Sequence, residues 1–430
     1  MEERADGPRA GVAAGDVVAP AATRSIWRHE DFRQLWFAHA ASQVGFRIGG
    51  IAIPLLAVSV LSVSAFDMGL LNAAQTVGTV LVGLPAGAWV DRTRRRRLMI
   101  RMDLLRAALL LTLPVAGLLG MLSLGQLLVV AFVVGVTSVF FDIAQLSYLP
   151  PLVGRSRLVE ANSALQLSQS VATVSGPALG GGLVAAVGAG NALVATGAAF
   201  LGSAAWLRRV HAEDPDPAPP RRRRLFAEIG EGLRFVLHDG ALRAIACCTA
   251  TANLFMSVVV TLLVYFLARD LGLPPWAVGL VAAAGGIGGV AGAFTARLWT
   301  VAFGRTRSIW LSLALTQPFG LLLARADANW RLALFVLGWF ALGYGSTVYN
   351  VVQTSFRQAV CPDELLGRVQ ASNRFFAWGS LPIGGLLGGV LGSSMGTRGA
   401  LTIAAVGLVA SVLWLLVSPL PRHGRDGGST

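Results

Sequence analysis

Asp142 and Arg47 are the residues best able to do chemistry in this chain, because each is a full charge set well inside an apolar run. A charge at the centre of a bilayer costs on the order of 3 kcal/mol on insertion scales, so one that persists calls for a cause. Arg47 falls about 14 residues into its run, roughly 21 Å at 1.5 Å per residue, too deep for its head to reach water easily at either side. With His39 and Gln43 it makes a polar stripe at i, i+4 and i+8 on one helix face. Asp142 carries Ser138 and Gln145 on its own face and is the only acid well inside its run. A carboxylate so placed can take up and release a proton against a neighbouring cation, which assigns proton coupling to Asp142 and Arg47. The alternative is a permanent Arg47–Asp142 ion pair that only joins two helices. Asp103 and Arg106, one turn apart near the start of another run, read as a structural network with an arginine loop.

Two further runs carry hydrogen-bonding stripes. Asn253, Ser257, Thr261 and Tyr265 repeat every fourth residue, and Tyr344, Thr347, Asn350 and Thr354 fall on one broad face. Together with Phe255, Met256 and Trp378, they would line a cavity that mixes apolar and aromatic surface with scattered donors, the make-up of a pocket for large organic ligands. Ordinary helix contact is the alternative for any one of them, since Ser and Thr often bond back to their own helix. No His, Cys and acid cluster assembles at spacings useful for an enzyme or a metal site, and neither a metal nor a cofactor is expected. The glycine clusters at 176–182, 285–292 and 384–392 lack the order of a phosphate loop, and the chain has no lysine to complete one. Small residues four apart, as in Gly285, Gly289 and Ala293, instead let helices approach closely. Pro177, within GPALGGG, marks a flexing point.

The elements that must position these groups are membrane helices. With 54% hydrophobic and 13% charged residues, the 430-residue chain has too little polar surface to be solvated as a globule. Its mean hydropathy of +0.65 says the same. The net charge of +13 is not a nucleic-acid face, because the arginines sit in short loops and tails between apolar runs. Runs able to cross about 30 Å of hydrocarbon fall near 33–61, 66–90, 98–121, 125–149, 163–187, 191–207, 241–268, 276–299, 307–324, 331–355, 370–392 and 398–417. Cys247, Cys248 and Cys361 fit no disulfide framework. Residues 1–30 read as a cytoplasmic tail with no apolar stretch of a signal peptide, and 419–430 as a second tail.

Arginine counts orient the runs. Loops with Arg92 to Arg97, Arg155 and Arg157, Arg208 to Arg224, Arg305 and Arg307, and Arg357 and Arg368 alternate with nearly neutral ones, which places both termini in the cytoplasm. The long polar interruption at 208–239 is a linker with an interfacial amphipathic helix between two halves, 31–207 and 240–418. The halves echo each other at an offset near 210 residues: HEDFRQLW at His29 with HDGALRAI at His238, GLLNAAQTVGTVLVG at Gly69 with GLVAAAGGIGGVAGA at Gly279, and PPLVGRSRLVEANS at Pro150 with AVCPDELLGRVQASN at Ala359. Duplicated six-helix units of this kind can rock around a site at the bilayer midplane.

DFRQLW, GAWVDRTRRRRLM, LPPLVGRSRLVEANS with GPALGGGL, and PDELLGRVQASN together give the chain, over about 30–420, a pattern that resembles the major facilitator superfamily. Within it, the macrolide-efflux and enterobactin-exporter branch is the most similar. The resemblance implies an all-α integral membrane protein with twelve transmembrane helices in two pseudosymmetric six-helix halves, the first, fourth, seventh and tenth around a central cavity. It implies a gating loop at Gly87, Asp91, Arg92, Arg95 and Arg96, whose acid pins the bundle in one state. Thr93 to Arg95 reads TRR where many members have a glycine, and the second-half copy, WTVAFGRTRS, has lost the acid.

The expected cavity residues are His39, Gln43, Arg47, Gln145, Asn253, Ser257, Thr261, Tyr344, Thr347 and Asn350. The expected activity is proton-coupled export, by antiport, of bulky amphiphilic compounds such as drugs or secondary metabolites, from a monomer in the cell membrane whose partners are substrate, protons and lipid. Export of a siderophore or other anionic metabolite is the alternative, and a non-transporting sensor of the same fold is a third.

Overall fold

The computed structural model describes residues 25–83, 86–212, 214, 230, 234, 236–361 and 363–418, apart from the side chains of residues 88, 155 and 363–375. The expected linker helix falls mostly outside these residues, as do 1–24 and 419–430. Among the described residues every element is helical. In the first half of the chain these are α1 (Glu30–Val60), α2 (Ala65–Gly83) with a short extension Ala86–Val90, α3 (Arg95–Leu118), α4 (Leu124–Val153), and one run Leu158–Arg208. That run is broken at Gly188, giving α5 (158–187) and α6 (189–208). In the second half come α7 (Gly240–Tyr265), α8 (Pro275–Phe303), α9 (Arg305–Thr316, continued as a 3₁₀ helix Gln317–Arg325), α10 (Leu332–Val360), and the run Asp363–Ser411, broken at Gly396 into α11 (363–395) and α12 (397–411). Seven of the continuous helices are long and apolar enough to cross a membrane, and two of those seven are the runs broken at glycine.

The starts and stops follow local chemistry. The Ser123 hydroxyl accepts from the Gln126 N–H at 3.3 Å and the Asp239 carboxylate from the Leu242 N–H at 2.8 Å, each satisfying an orphan donor at a helix N-terminus. Gly188 (φ 81°, ψ 160°) and Gly396 (φ 74°, ψ 162°) adopt the same left-handed turn 208 positions apart, a conformation that a side chain disfavours. The span expected at 307–324 is regular only to Thr316. Pro318, which has no N–H and crowds the preceding turn, stands where the α-helix gives way to the 3₁₀ segment.

Helices α1 to α6 pack on one another, as do α7 to α12, and the two groups meet mainly where α2 lies on α11 and α5 on α8. Both seams are glycine against glycine. A methyl added at Gly69 would sit 2.6 Å from the Gly389 Cα, and one at Gly181 would sit 2.4 Å from the Pro275 carbonyl oxygen. Pro177 lies in the second seam, where its carbonyl oxygen would be 2.4 Å from a methyl on Gly279. Both seams lie toward the arginine-poor end of the bundle, near the turns at 61–64, 188, 271–274 and 396. At that same end Arg398 donates to Asp327 at 2.5 Å with Arg331 alongside, and the Arg398 hydrogen bond holds the Asp327 carboxyl below its usual range.

Candidate functional site

The strongest polar contact inside the first six helices is an ion pair of Arg106 and Asp103 at 2.6 Å, 2% and 0% exposed. Their spacing of three puts both on one face of α3. Ser203 of α6 donates to the second Asp103 oxygen at 2.6 Å, and Ser42 of α1 lies 3.4 Å from the first. The Arg106 guanidinium lies 4.5 Å from the Phe200 ring centroid and 4.9 Å from that of Phe141. The pair therefore joins α1, α3, α4 and α6, and the expected link to the arginine loop is not made. Asp103 lies eight residues beyond Arg95, about 12 Å along α3, and its face looks into the bundle.

Asp142 follows Phe141 on α4, about 100° further round the helix. It is exposed and, among the described residues, forms neither a hydrogen bond nor a direct ion pair, although the Arg106 and Arg47 guanidiniums are near enough to act on its charge. The Arg47–Asp142 ion pair expected as an alternative is thus not formed, and helix register gives the reason. The sequential packing runs α1 and α4 antiparallel, with the His39 Nδ1 bonded to the Gln145 Oε1 at 2.7 Å. From that crossing point Asp142 is level with Ser42, while Arg47 lies five residues further along, about 7.5 Å. Arg47 is instead seated against Gly176 of α5, where an added methyl would meet its Cβ at 2.2 Å.

Two cavities lie between the helix groups. One, of about 310 Å³, is lined by Arg47, Asn72, Gln75, Phe200, Thr261 and Trp339, among other residues that are mostly apolar. The second, of about 450 Å³, is lined by Gln169, Asn253, Met256, Gln317 and Thr347, and shares Thr173, Gly286 and Trp339 with the first. Of the ten expected cavity residues, Arg47, Thr261, Asn253 and Thr347 line these spaces. The remaining six do not. His39 and Gln145 are buried against each other, and Gln43 is half-buried beside them. Ser257 donates to the Leu381 carbonyl at 2.7 Å. The Tyr344 hydroxyl accepts from Thr295 at 2.9 Å and from the Trp299 indole at 2.7 Å, both on α8. Asn350 is exposed and faces neither space.

The stripe on α7 is spent on helix contacts more than on open cavity. Asn253 donates to the Ala377 carbonyl at 2.9 Å, and Asn72 of α2 donates to the Ser257 hydroxyl at 3.2 Å and to Thr261 at 2.5 Å. Asn72 and Gln75 also line the first cavity, and the sequence patterns above left both unassigned. In sequence they form an i, i+3 amide pair in the middle of α2, among small and apolar neighbours. Among the described residues no three His, Cys, Asp or Glu side chains group to hold a metal ion.

The arginine loop is built within the first helix group. Arg92 and Thr93 close tight turns onto the Trp89 and Val90 carbonyls. Arg96 is fixed to the end of α6, its N–H donating to Asp214 at 3.0 Å and its guanidinium to the Arg208 carbonyl at 3.2 Å. Gly87, Asp91 and Arg95 are half-buried, Arg92 is exposed, and the Asp91 carboxylate has no hydrogen-bond or ion-pair partner among the described residues.

The family model for transmembrane secretion effectors matches residues 21–428. The chain belongs to this family of major facilitator transporters. The transporter is 30% identical over 399 residues to the multidrug efflux pump Tap of Mycolicibacterium fortuitum, with 90% of this chain and 94% of that one covered. It is 28% identical over 414 residues to the enterobactin exporter EntS of Escherichia coli (strain K12), with 93% and 94% covered. Among solved structures, the nucleoside transporter NupG superposes with a TM-score of 0.73 at 10% identity, over 90% of this chain and 98% of that one. A bacterial homologue of the lysosomal transporter Spinster, in an inward-facing and occupied conformation, also gives 0.73, at 14% identity, over 94% and 100%. At such identities the solved structures speak for the fold alone. The transporter is a multi-pass membrane protein and not an enzyme.

Proposed function

We propose that this transporter is a proton-coupled exporter of bulky amphiphilic organic compounds, such as drugs or secondary metabolites, working by alternating access. It would sit in the cell membrane as a monomer, both termini cytoplasmic, with 31–207 and 240–418 as the moving halves. The observation that carries the reading is the pair of adjoining cavities lined from both helix groups, mostly apolar, bearing one cation and shut by glycine seams at the arginine-poor end. The relatives Tap and EntS, an efflux pump and an exporter by name, support the direction. Inverted vesicles containing the protein should accumulate members of a panel of macrolides, dyes and catecholate siderophores, and an uncoupler should abolish the accumulation. Accumulation that persists with the gradient collapsed would remove proton coupling.

Asp142 is the proposed proton carrier because it is an exposed carboxylate near two cations and, among the described residues, has no fixed partner. Asp142→Asn should eliminate gradient-driven accumulation while ligand binding to purified protein stays within about twofold; loss of binding without loss of coupling would reassign it to structure. Asp91 is the proposed gate. Asp91→Asn should lower turnover several-fold with an unchanged yield of folded protein, and unaltered export would discard the gating role.

A second reading, export of an anionic metabolite, is favoured by Arg47 alone in the apolar wall of its cavity. A cation held away from bulk water attracts a ligand's negative charge more strongly than it would at the surface. Arg47→Gln should therefore reduce transport of anionic substrates at least tenfold more than that of neutral ones. Equal losses for both classes would set this reading aside.

A further inference from the structure

Helices α2 and α3 each pack along α4 but scarcely touch each other, which leaves a cleft between them with α4 as its floor. Near the arginine loop the cleft holds a space of about 490 Å³. Arg97 and Arg101, both exposed and one turn apart, stand on its rim, and Arg94 also lines it. Immediately further along α3 the lining turns apolar through Met102 and Leu105, and the floor is Val133, Val136 and Phe140. From Arg97 to Leu105 is about 12 Å along the helix. Trp89, 62% exposed, stands edge-on to the Phe140 ring at 5.8 Å and closes the far side.

We propose that this cleft is a binding site for one anionic phospholipid, separate from the transport cavities. The charge complementarity is axial: guanidiniums meet a phosphate at headgroup level, and the adjoining apolar strip takes the first carbons of an acyl chain. A basic pocket between membrane helices recognises acidic headgroups in this way, each arginine near the surface adding to the attraction. Trp89 sits where an indole is favoured, at the boundary between headgroup and chain. A soluble anion would have no use for the apolar floor, and a neutral or zwitterionic lipid would have less use for two uncommitted cations. The occupant would also bridge the Ala86–Val90 extension and the Asp91 turn to α3, because Trp89 and Thr93 belong to one wall and Arg97 and Arg101 to the other.

The test is native mass spectrometry of the purified full-length protein, titrated with phosphatidylglycerol or phosphatidylethanolamine of the same chain length. Wild type should retain one phosphatidylglycerol at least fivefold more strongly than phosphatidylethanolamine. Arg97→Gln with Arg101→Gln should lose that preference, while Arg305→Gln with Arg307→Gln, which removes two arginines outside the cleft, should keep it. Val133→Trp, which fills the floor and leaves the arginines in place, should weaken retention as well. Equal retention of the two lipids by wild type, or an unchanged preference in the Arg97 and Arg101 variant, would overturn the proposal. Displacement of phosphatidylglycerol by inorganic phosphate, together with no effect of Val133→Trp, would make the site one for a free anion and overturn it equally. Size-exclusion profiles of each variant identify any that fail to fold, and Val133→Trp and the arginine variant test the site independently.

Discussion

Arg106→Met is expected to leave little folded protein in the membrane, and adding Asp103→Leu to the same chain is expected to restore much of it. The single change strands a carboxylate with no exposure, and breaking a buried pair in this way costs about 3–5 kcal/mol. That is more than a hundredfold in the folding equilibrium and a large share of a stability of roughly 5–15 kcal/mol. The double change removes both charges and replaces them with side chains of similar reach, which is often neutral where packing is good. Here Phe141 and Phe200, already against the guanidinium, would pack against the Met side chain. Thermal unfolding followed by fluorescence-detected size exclusion reads both. If the double variant is no better than the single one, the pair does more than hold α1, α3, α4 and α6 together, and a functional role for its charge gains ground.

The second large effect concerns the seams. Gly69→Leu and Gly181→Leu should each reduce export to background with folded protein still present. Their added atoms would stand 2.6 Å from the Gly389 Cα and 2.4 Å from the Pro275 oxygen, distances no carbon tolerates. Overpacking of this order costs about 1–3 kcal/mol, and it falls only on the state in which the seam is closed. An equilibrium between two comparable states would move about five- to 150-fold toward the state open at the arginine-poor end. In a background freed of Cys247, Cys248 and Cys361, a cysteine at Gln75, which lines the first cavity, should then react several-fold faster with an impermeant maleimide applied from that end. Lost export with unchanged labelling would point to local damage in place of a shifted gate.

The helices were legible in the sequence because each one is written as an unbroken apolar run, and the breaks at 188 and 396 because VGAGN and MGTRG interrupt two such runs. The deep charges were legible for the same reason, since Arg47 and Asp142 stand out against their neighbours. Register was less accessible. A stripe at i, i+4 and i+8 tells which residues share a face, but which helix lies opposite, and at what height, depends on packing far away in sequence. His39 and Gln145 face each other, so Arg47 and Asp142 cannot, and Tyr344 turns to α8 because Thr295 and Trp299 are there to donate to its hydroxyl. Asn72 was missed because an amide pair in such a helix is ordinary until the partners of Asn72 on α7 are seen. The lipid cleft shows only where two helices fail to meet, which no one-dimensional pattern records.

The seams have a consequence at the level of the gene. Every glycine codon begins with two guanines, and any single-base change in either position gives a stop codon or a residue larger than glycine. Where a methyl group already collides with backbone, as at Gly69, Gly181 and Gly279, no such replacement is mild. These seam positions therefore accept only the four glycine spellings, and variants selected for altered substrate range should accumulate in the cavity walls and leave these codons untouched.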